Sequence, residues 1–403
     1  MKGVYRENLK IGKWQHFDRA GILDREETFD YSGHPLTNIQ YCREGVLKDG
    51  ISETFHPNGQ LKQLLLYKEG KLVDGTYCEF NSNGIVIEQG AYKNGLMEGL
   101  WEYGFKKCGR IKKQINYEEG LLHGEFFEYF KSGTYKSTGQ NKYGCDLGTT
   151  KWFYKNQQLK KQISYVAAFP EGASLSYYKN GKLKSIKNYL YGKHGEFITY
   201  YKNGIIKKSE NYSHRKLEGE CFYNYPSGQT KLRGTYKGGN KEGVWQAFRE
   251  DGTIESIRPY SNGLLDGISR KFFSSGQMLY EINYLENKMH GVYTEFYENG
   301  KLKFRTSYEE SKLQGDNEYF YESGERHKVT AYSKNLKSGK YLEYCPEGKI
   351  ALSGQYCNDV KSGEWSFYYK TGKIKEKITY RQNGFIESRV LYNAKGDVKK
   401  VVK

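Results

Sequence analysis

Glycine returns in this chain at 75, 99, 124, 148, 172, 195, 219, 243, 267, 291, 315, 339 and 363, in steps of 23 to 25 residues and mostly 24. A fixed period of that length means one small unit was copied until it filled the chain. Such a unit cannot bury its own apolar face, so it must stack on its neighbours. The period thereby favours an extended surface over an enclosed pocket.

Residues 291–315, GVYTEFYENGKLKFRTSYEESKLQG, show the unit. Aromatics stand two and five places after the opening glycine, at Tyr293 and Phe296. A tight turn follows at Glu298-Asn299-Gly300, then a second alternating run from Leu302 to Tyr308. Two short alternating runs about a glycine turn read as a β-hairpin. Phe248, Phe272 and Phe320 repeat the aromatic five past the glycine; Tyr236, Tyr260 and Tyr284 repeat the closing tyrosine.

Runs of six to ten residues between turn formers are too short for helices and lack three-and-four spacing. The expected fold is therefore all-β, an elongated array of about seventeen antiparallel β-hairpin repeats forming one continuous twisted sheet. Six scattered prolines and the lack of a linker-like segment make residues 1–403 a single array. Its period is disturbed at 22–50 and 136–157, where Gln157 takes a turn-glycine place and the stretch from Gly139 to Gly148 reads as a shortened, remodelled linker.

Of the 403 residues 39 are tyrosine, a residue suited to half-buried places because its ring packs while its hydroxyl stays wet. A net charge of +17 points to acidic partners. The first fourteen residues carry no apolar export segment, and seven scattered cysteines suit a reducing compartment. A cytoplasmic location is the expectation. Export to the cell surface is the alternative if a leader precedes this numbering.

The strings Tyr92-Lys93-Asn94-Gly95 through Gly99-Leu100-Trp101 and Tyr236 through Gly243-Val244-Trp245 resemble the MORN repeat, particularly its bacterial variant. The resemblance covers nearly the whole chain. It implies a β-hairpin sheet serving as an interaction scaffold, with membrane association proposed for some members. It also implies an antitoxin of a toxin–antitoxin pair, a label that bacterial proteins of this variant often carry.

Lysine recurs three places beyond the turn glycine at Lys112, Lys136, Lys160, Lys184, Lys207 and Lys231, and again at Lys303 and Lys375. Stacked slots would make these a basic rail facing an acidic protein surface. The plainer alternative is a soluble strand residue that discourages edge-to-edge aggregation. An anionic membrane could use the same charges. Nucleic acid is disfavoured as a partner, since no nucleic-acid fold motif accompanies the alternating lysines and rings.

Trp101 and Trp245 share the slot two past the opening glycine, and Trp152 is displaced from it. All three are candidate interface anchors if the aromatic face is uncovered. Glu79, Glu128, Glu295 and Glu343 share a strand slot and are expected to face lysines. No Ser-His-Asp or Cys-His arrangement, phosphate loop or metal spacing is legible. The expectation is a non-enzymatic chain with no catalytic residues, cofactor or metal.

Overall fold

The computed structural model describes residues 1–6, 9–29, 35–40, 50–68, 71–72, 75–191 and 193–402, without the side chains of residues 6, 35–40, 68, 71 and 194. Every regular element among them is a β-strand, and the strands pair antiparallel. The chain divides into two compact units, Met1–Gly204 and Ile205–Lys403. The first runs from strand Lys2–Arg6 to Lys193–Tyr200, the second from Ile206–Ser213 to Val398–Val402.

Within the second unit, strands Lys288–Phe296 and Leu302–Glu309 form one hairpin, with Gly291 opposite Tyr308 and Phe296 opposite Leu302. Its turn is the three-residue loop Glu298-Asn299-Gly300 expected from the sequence. The Tyr297 amide donates to the Lys301 carbonyl at 2.8 Å, and the Gly300 amide to the Tyr297 carbonyl at 2.9 Å. Gly300 takes φ 81°. This is the geometry of a type I turn closed by a left-handed residue.

The register shifts between Glu295 and Phe296, leaving Lys303 as the extra residue of a bulge. The same shift recurs beside other hairpin turns and leaves Lys112, Lys136, Lys160, Lys184 and Lys231 as bulged residues.

The stretch from closing tyrosine to opening glycine, read from sequence as a plain loop, is a second tight turn. Glu310 and Ser311 have φ 47° and 64°, and Tyr308 pairs with Leu313 beyond them. Positive φ at both central residues marks a type I′ turn. Elsewhere the turn is Ala167-Ala168 or Glu286-Asn287, pairs without the usual glycine signature. The opening glycine follows at φ 66° in Gly243, where an added Cβ would meet nothing, so backbone conformation fixes this glycine.

The core lies two places past the opening glycine. Trp101, Thr150, Cys221, Trp245, Ser269 and Trp365 are all buried there. Large and small residues alternate across it. Ser269 stands opposite Ile282 and Thr150 opposite Ile163, whereas Trp245 lies on Gly234. An added Cβ on Gly234 would come within 2.3 Å of the indole. The Trp245 Nε1 donates to the Thr235 carbonyl at 3.2 Å, as Trp101 does to Ala91 at 3.1 Å over Gly90. Here glycine is required by the space the ring fills.

Residues 136–157 carry strands Tyr135–Lys142 and Cys145–Phe153, joined at Tyr143-Gly144 and paired from Ser137–Trp152 to Lys142–Cys145. Gly139 lies under Phe126 and Thr150, each 2.7 Å from where its Cβ would stand. Gln157 holds φ 66°, and its side-chain amide bonds both backbone groups of Tyr135 at 3.1 Å. Of the 22–50 disturbance, strands Leu23–Phe29 and Pro35–Gln40 pair, while 30–34 and 41–49 lie outside the described residues.

Candidate binding surface

Each hairpin turn begins six places past the opening glycine, a slot the sequence reading overlooked. In several repeats its side chain ties one repeat to the next. The Tyr154 hydroxyl donates to the Tyr177 carbonyl at 2.8 Å, Tyr178 to Tyr200 at 2.7 Å, and Tyr297 to Phe320 at 2.8 Å. Arg249 makes the equivalent bond to the Phe272 carbonyl, and His56 Nε2 lies 2.9 Å from the Phe80 carbonyl oxygen. The signal was present, since aromatics at Tyr154, Tyr178, Tyr225 and Tyr297 share the period, but they adjoin the more obvious slot before them.

The bulged lysines sit on this margin. Lys112, Lys136, Lys160 and Lys184 occupy consecutive repeats of the first unit and are all exposed; Lys207 and Lys231 do the same in the second. Consecutive members are two strands apart, about 10 Å at ordinary strand spacing. Lys160, Lys184 and Lys231 place their ammonium groups 5.9, 5.9 and 5.4 Å from the ring centres of Tyr154, Tyr178 and Tyr225. The rings orient them without cancelling their charge.

Carboxylates meet the rail at two of the four expected places. Lys136 Nζ is 3.1 Å from Glu128, and Lys303 Nζ is 2.8 Å from Glu295. Burial would raise the Glu128 pKa, but Lys136 and the Ser137 hydroxyl outweigh it and hold the group below its ordinary value. Glu79 and Glu343 instead accept from the hydroxyls of Tyr77 and Tyr341.

Two consecutive repeats carry phenylalanine in the tying slot, Phe105 and Phe130. A phenyl ring has no donor for the next repeat's carbonyl. Beside these half-buried rings lies a groove of about 360 Å³, lined also by Lys112, Lys131, Lys136, Lys155, Tyr129 and Glu128. Lys131 Nζ stands 5.9 Å from the Phe105 ring centre. Glu128 is the one carboxylate among the described lining residues, so positive charge dominates the rim.

The tryptophan anchors need correction. Trp101 and Trp245 are 0% and 2% exposed, spent on the core against Gly90 and Gly234. In this fold neither can touch a partner. Trp152 is half-buried and lines another groove, of about 250 Å³, with Phe126, Asp146 and others. Lys161 Nζ lies 5.4 Å from its ring centre. Burial, with Lys187 and Lys160 nearby, lowers the Lys161 pKa.

At the opposite ends of the strands, three successive turns of the first unit expose apolar side chains: Tyr143, Val166 and Phe169, then Leu190 and Tyr191. Tyr191 is 83% exposed. Among the described residues no group of His, Cys, Asp or Glu could hold a metal, and no helix is long and apolar enough to cross a membrane.

A family model described as MORN repeat variant matches ten stretches: 48–69, 73–94, 147–167, 170–191, 193–214, 217–237, 241–262, 265–286, 289–310 and 361–382. Together they span more than half of the chain. Among curated proteins, none matches the sequence. The crystal structure of TcdB2-TccC3-Cdc42 is 12% identical with a TM-score of 0.15, covering 96% of this chain and 25% of that one. The Photorhabdus luminescens Tc holotoxin pore is 11% identical with a TM-score of 0.14, covering 91% and 26%. This chain thus spans about a quarter of those chains. Likeness at such scores carries no weight for fold or function.

Proposed function

The chain belongs to the family of MORN repeat variant proteins, and from that premise we propose that it is a non-catalytic binding array for a protein with an acidic surface. Repeats of this family are in general protein- and membrane-interaction modules. The observation that carries the reading is the row of exposed lysines at equivalent bulges, Lys112, Lys136, Lys160 and Lys184, the last two held over tyrosine rings. A peptide in the polyproline II conformation advances about 3.1 Å per residue and returns to the same face every third residue, so acidic residues three apart match the rail's spacing of about 10 Å. The antitoxin role implied by the resemblance is one case, in which a toxin encoded nearby presents that acidic face.

The test is binding of a labelled peptide with Asp or Glu at every third position. Binding should weaken about tenfold or more between about 0.05 and 0.3 M salt. It should also be lost in Lys112→Glu/Lys160→Glu/Lys184→Glu. Equal binding by that variant would remove the rail from the reading.

The exposed Tyr143, Phe169, Leu190 and Tyr191 favour a second reading, adsorption to an anionic membrane surface through the turns at the other strand ends. Sedimentation with phosphatidylserine vesicles, abolished by Phe169→Ser/Tyr191→Ser, is its expected outcome.

A further inference from the structure

Phe105 and Phe130 break a rule that their neighbours keep. In several other repeats the slot six past the opening glycine carries a group that bonds the next repeat's carbonyl, as Tyr154 does with Tyr177 and Tyr178 with Tyr200. These two phenyl rings cannot, and the groove lined by both lies among four lysines and one carboxylate already paired with Lys136. Apolar floor and cationic rim therefore coincide at one place on the rail. Lysine stems can line such a floor while their ammonium groups stay in water.

We propose that this groove seats an aromatic side chain carried between carboxylates on an extended acidic segment of the partner. The inference rests on the rail reading and adds to it a register point. The rail attracts acidic chain anywhere along its length, and the groove fixes which residue stops there. Aromatic pairing with Phe105 and Phe130 supplies the contact. Carboxylates on either side meet Lys112 and Lys131 on one flank and Lys136 and Lys155 on the other. The volume, about 360 Å³, accommodates a ring with its flanking backbone.

Two fluorescent peptides of equal length and charge, one with glycine and one with phenylalanine at its centre, are titrated against the full chain at moderate salt. The phenylalanine peptide should bind about fivefold tighter, equivalent to about 1 kcal/mol. In Phe105→Tyr/Phe130→Tyr the new hydroxyls reach the Tyr129 and Phe153 carbonyls and tie the rings down. There the fivefold preference should collapse while the glycine peptide binds as before.

Equal affinity of both peptides for the wild-type chain overturns the groove and leaves the rail standing. Failure of both peptides to bind overturns rail and groove together. Inositol hexakisphosphate that displaces the phenylalanine peptide from wild type and from Phe105→Tyr/Phe130→Tyr equally well also overturns the groove, because charge alone would then explain binding. The comparison of the two peptides on wild type stays decisive even where the double variant misfolds.

Discussion

Gly234 and Trp245 sit eleven positions apart in sequence and in contact in space, which makes their coupling the sharpest statement available at the scale of single residues. Gly234→Ala forces a Cβ into the indole, and overpacking of this kind costs about 1–3 kcal/mol. Thermal unfolding of the variant should show that loss, and Trp245→Phe in the same chain should recover part of it. Gln157 poses the opposite case, a side chain in a glycine conformation held by two bonds to Tyr135. Gln157→Ala keeps the left-handed strain and loses the bonds, so it should be less stable than Gln157→Gly by about 1 kcal/mol. Denaturant titration of the two variants checks the order.

Glu210 adds a pH dependence. It is buried, which alone would raise its pKa, yet Lys208, Tyr223 and Tyr212 bond it and hold the pKa below the ordinary value. A depressed folded pKa contributes stability above the unfolded value and loses it as pH falls through the folded one. Glu88 runs the other way, raised by burial and by Glu79. As pH falls below about 4.5 melting should therefore lose less stability in Glu210→Gln than in the parent, whereas Glu88→Gln should lack the gain that the parent shows as pH falls towards about 4.5.

Strand placement was largely legible, because a 24-residue period of glycines and rings leaves few arrangements for a β-hairpin. Turn types were less so. A type I′ turn is recognised by its glycine or asparagine, and Ala167-Ala168 offers neither. These alanines are held left-handed by the pairing of Tyr165 with Pro170 and Val166 with Phe169 across them. Ala168→Gly should relieve about 1 kcal/mol of strain. Amide exchange along Leu159–Val166 is the readout, slower in the variant than in the parent. The tying tyrosines escaped notice for a related reason: two aromatics in a row read as one strand, though a turn begins between them.

Across the whole molecule, a net charge of +17 directed attention to lysine, and a recurring set of those lysines lies exposed at the bulges. Burial was the part that sequence misjudged. Tryptophan at a recurring slot reads equally well as an anchor or as core, and only the glycine eleven places earlier distinguishes them: Gly90 precedes Trp101 and Gly234 precedes Trp245, while Trp152 has Asn141. Each unit carries its own bulged lysines. Lys207→Glu/Lys231→Glu should leave peptide protection of the Lys112–Lys184 margin unchanged in hydrogen exchange, whereas Lys112→Glu/Lys160→Glu should abolish it.

The hydroxyls of Tyr154, Tyr178 and Tyr297 also have a mechanical meaning. Each is a stitch between adjacent repeats beyond the sheet's own ladder. A chain pulled at both ends would load these stitches in series. The repeats that carry Phe105 and Phe130 lack them, so the first unit is unstitched beside its cationic groove. A partner seated there would be gripping an open seam, and would act as a splint.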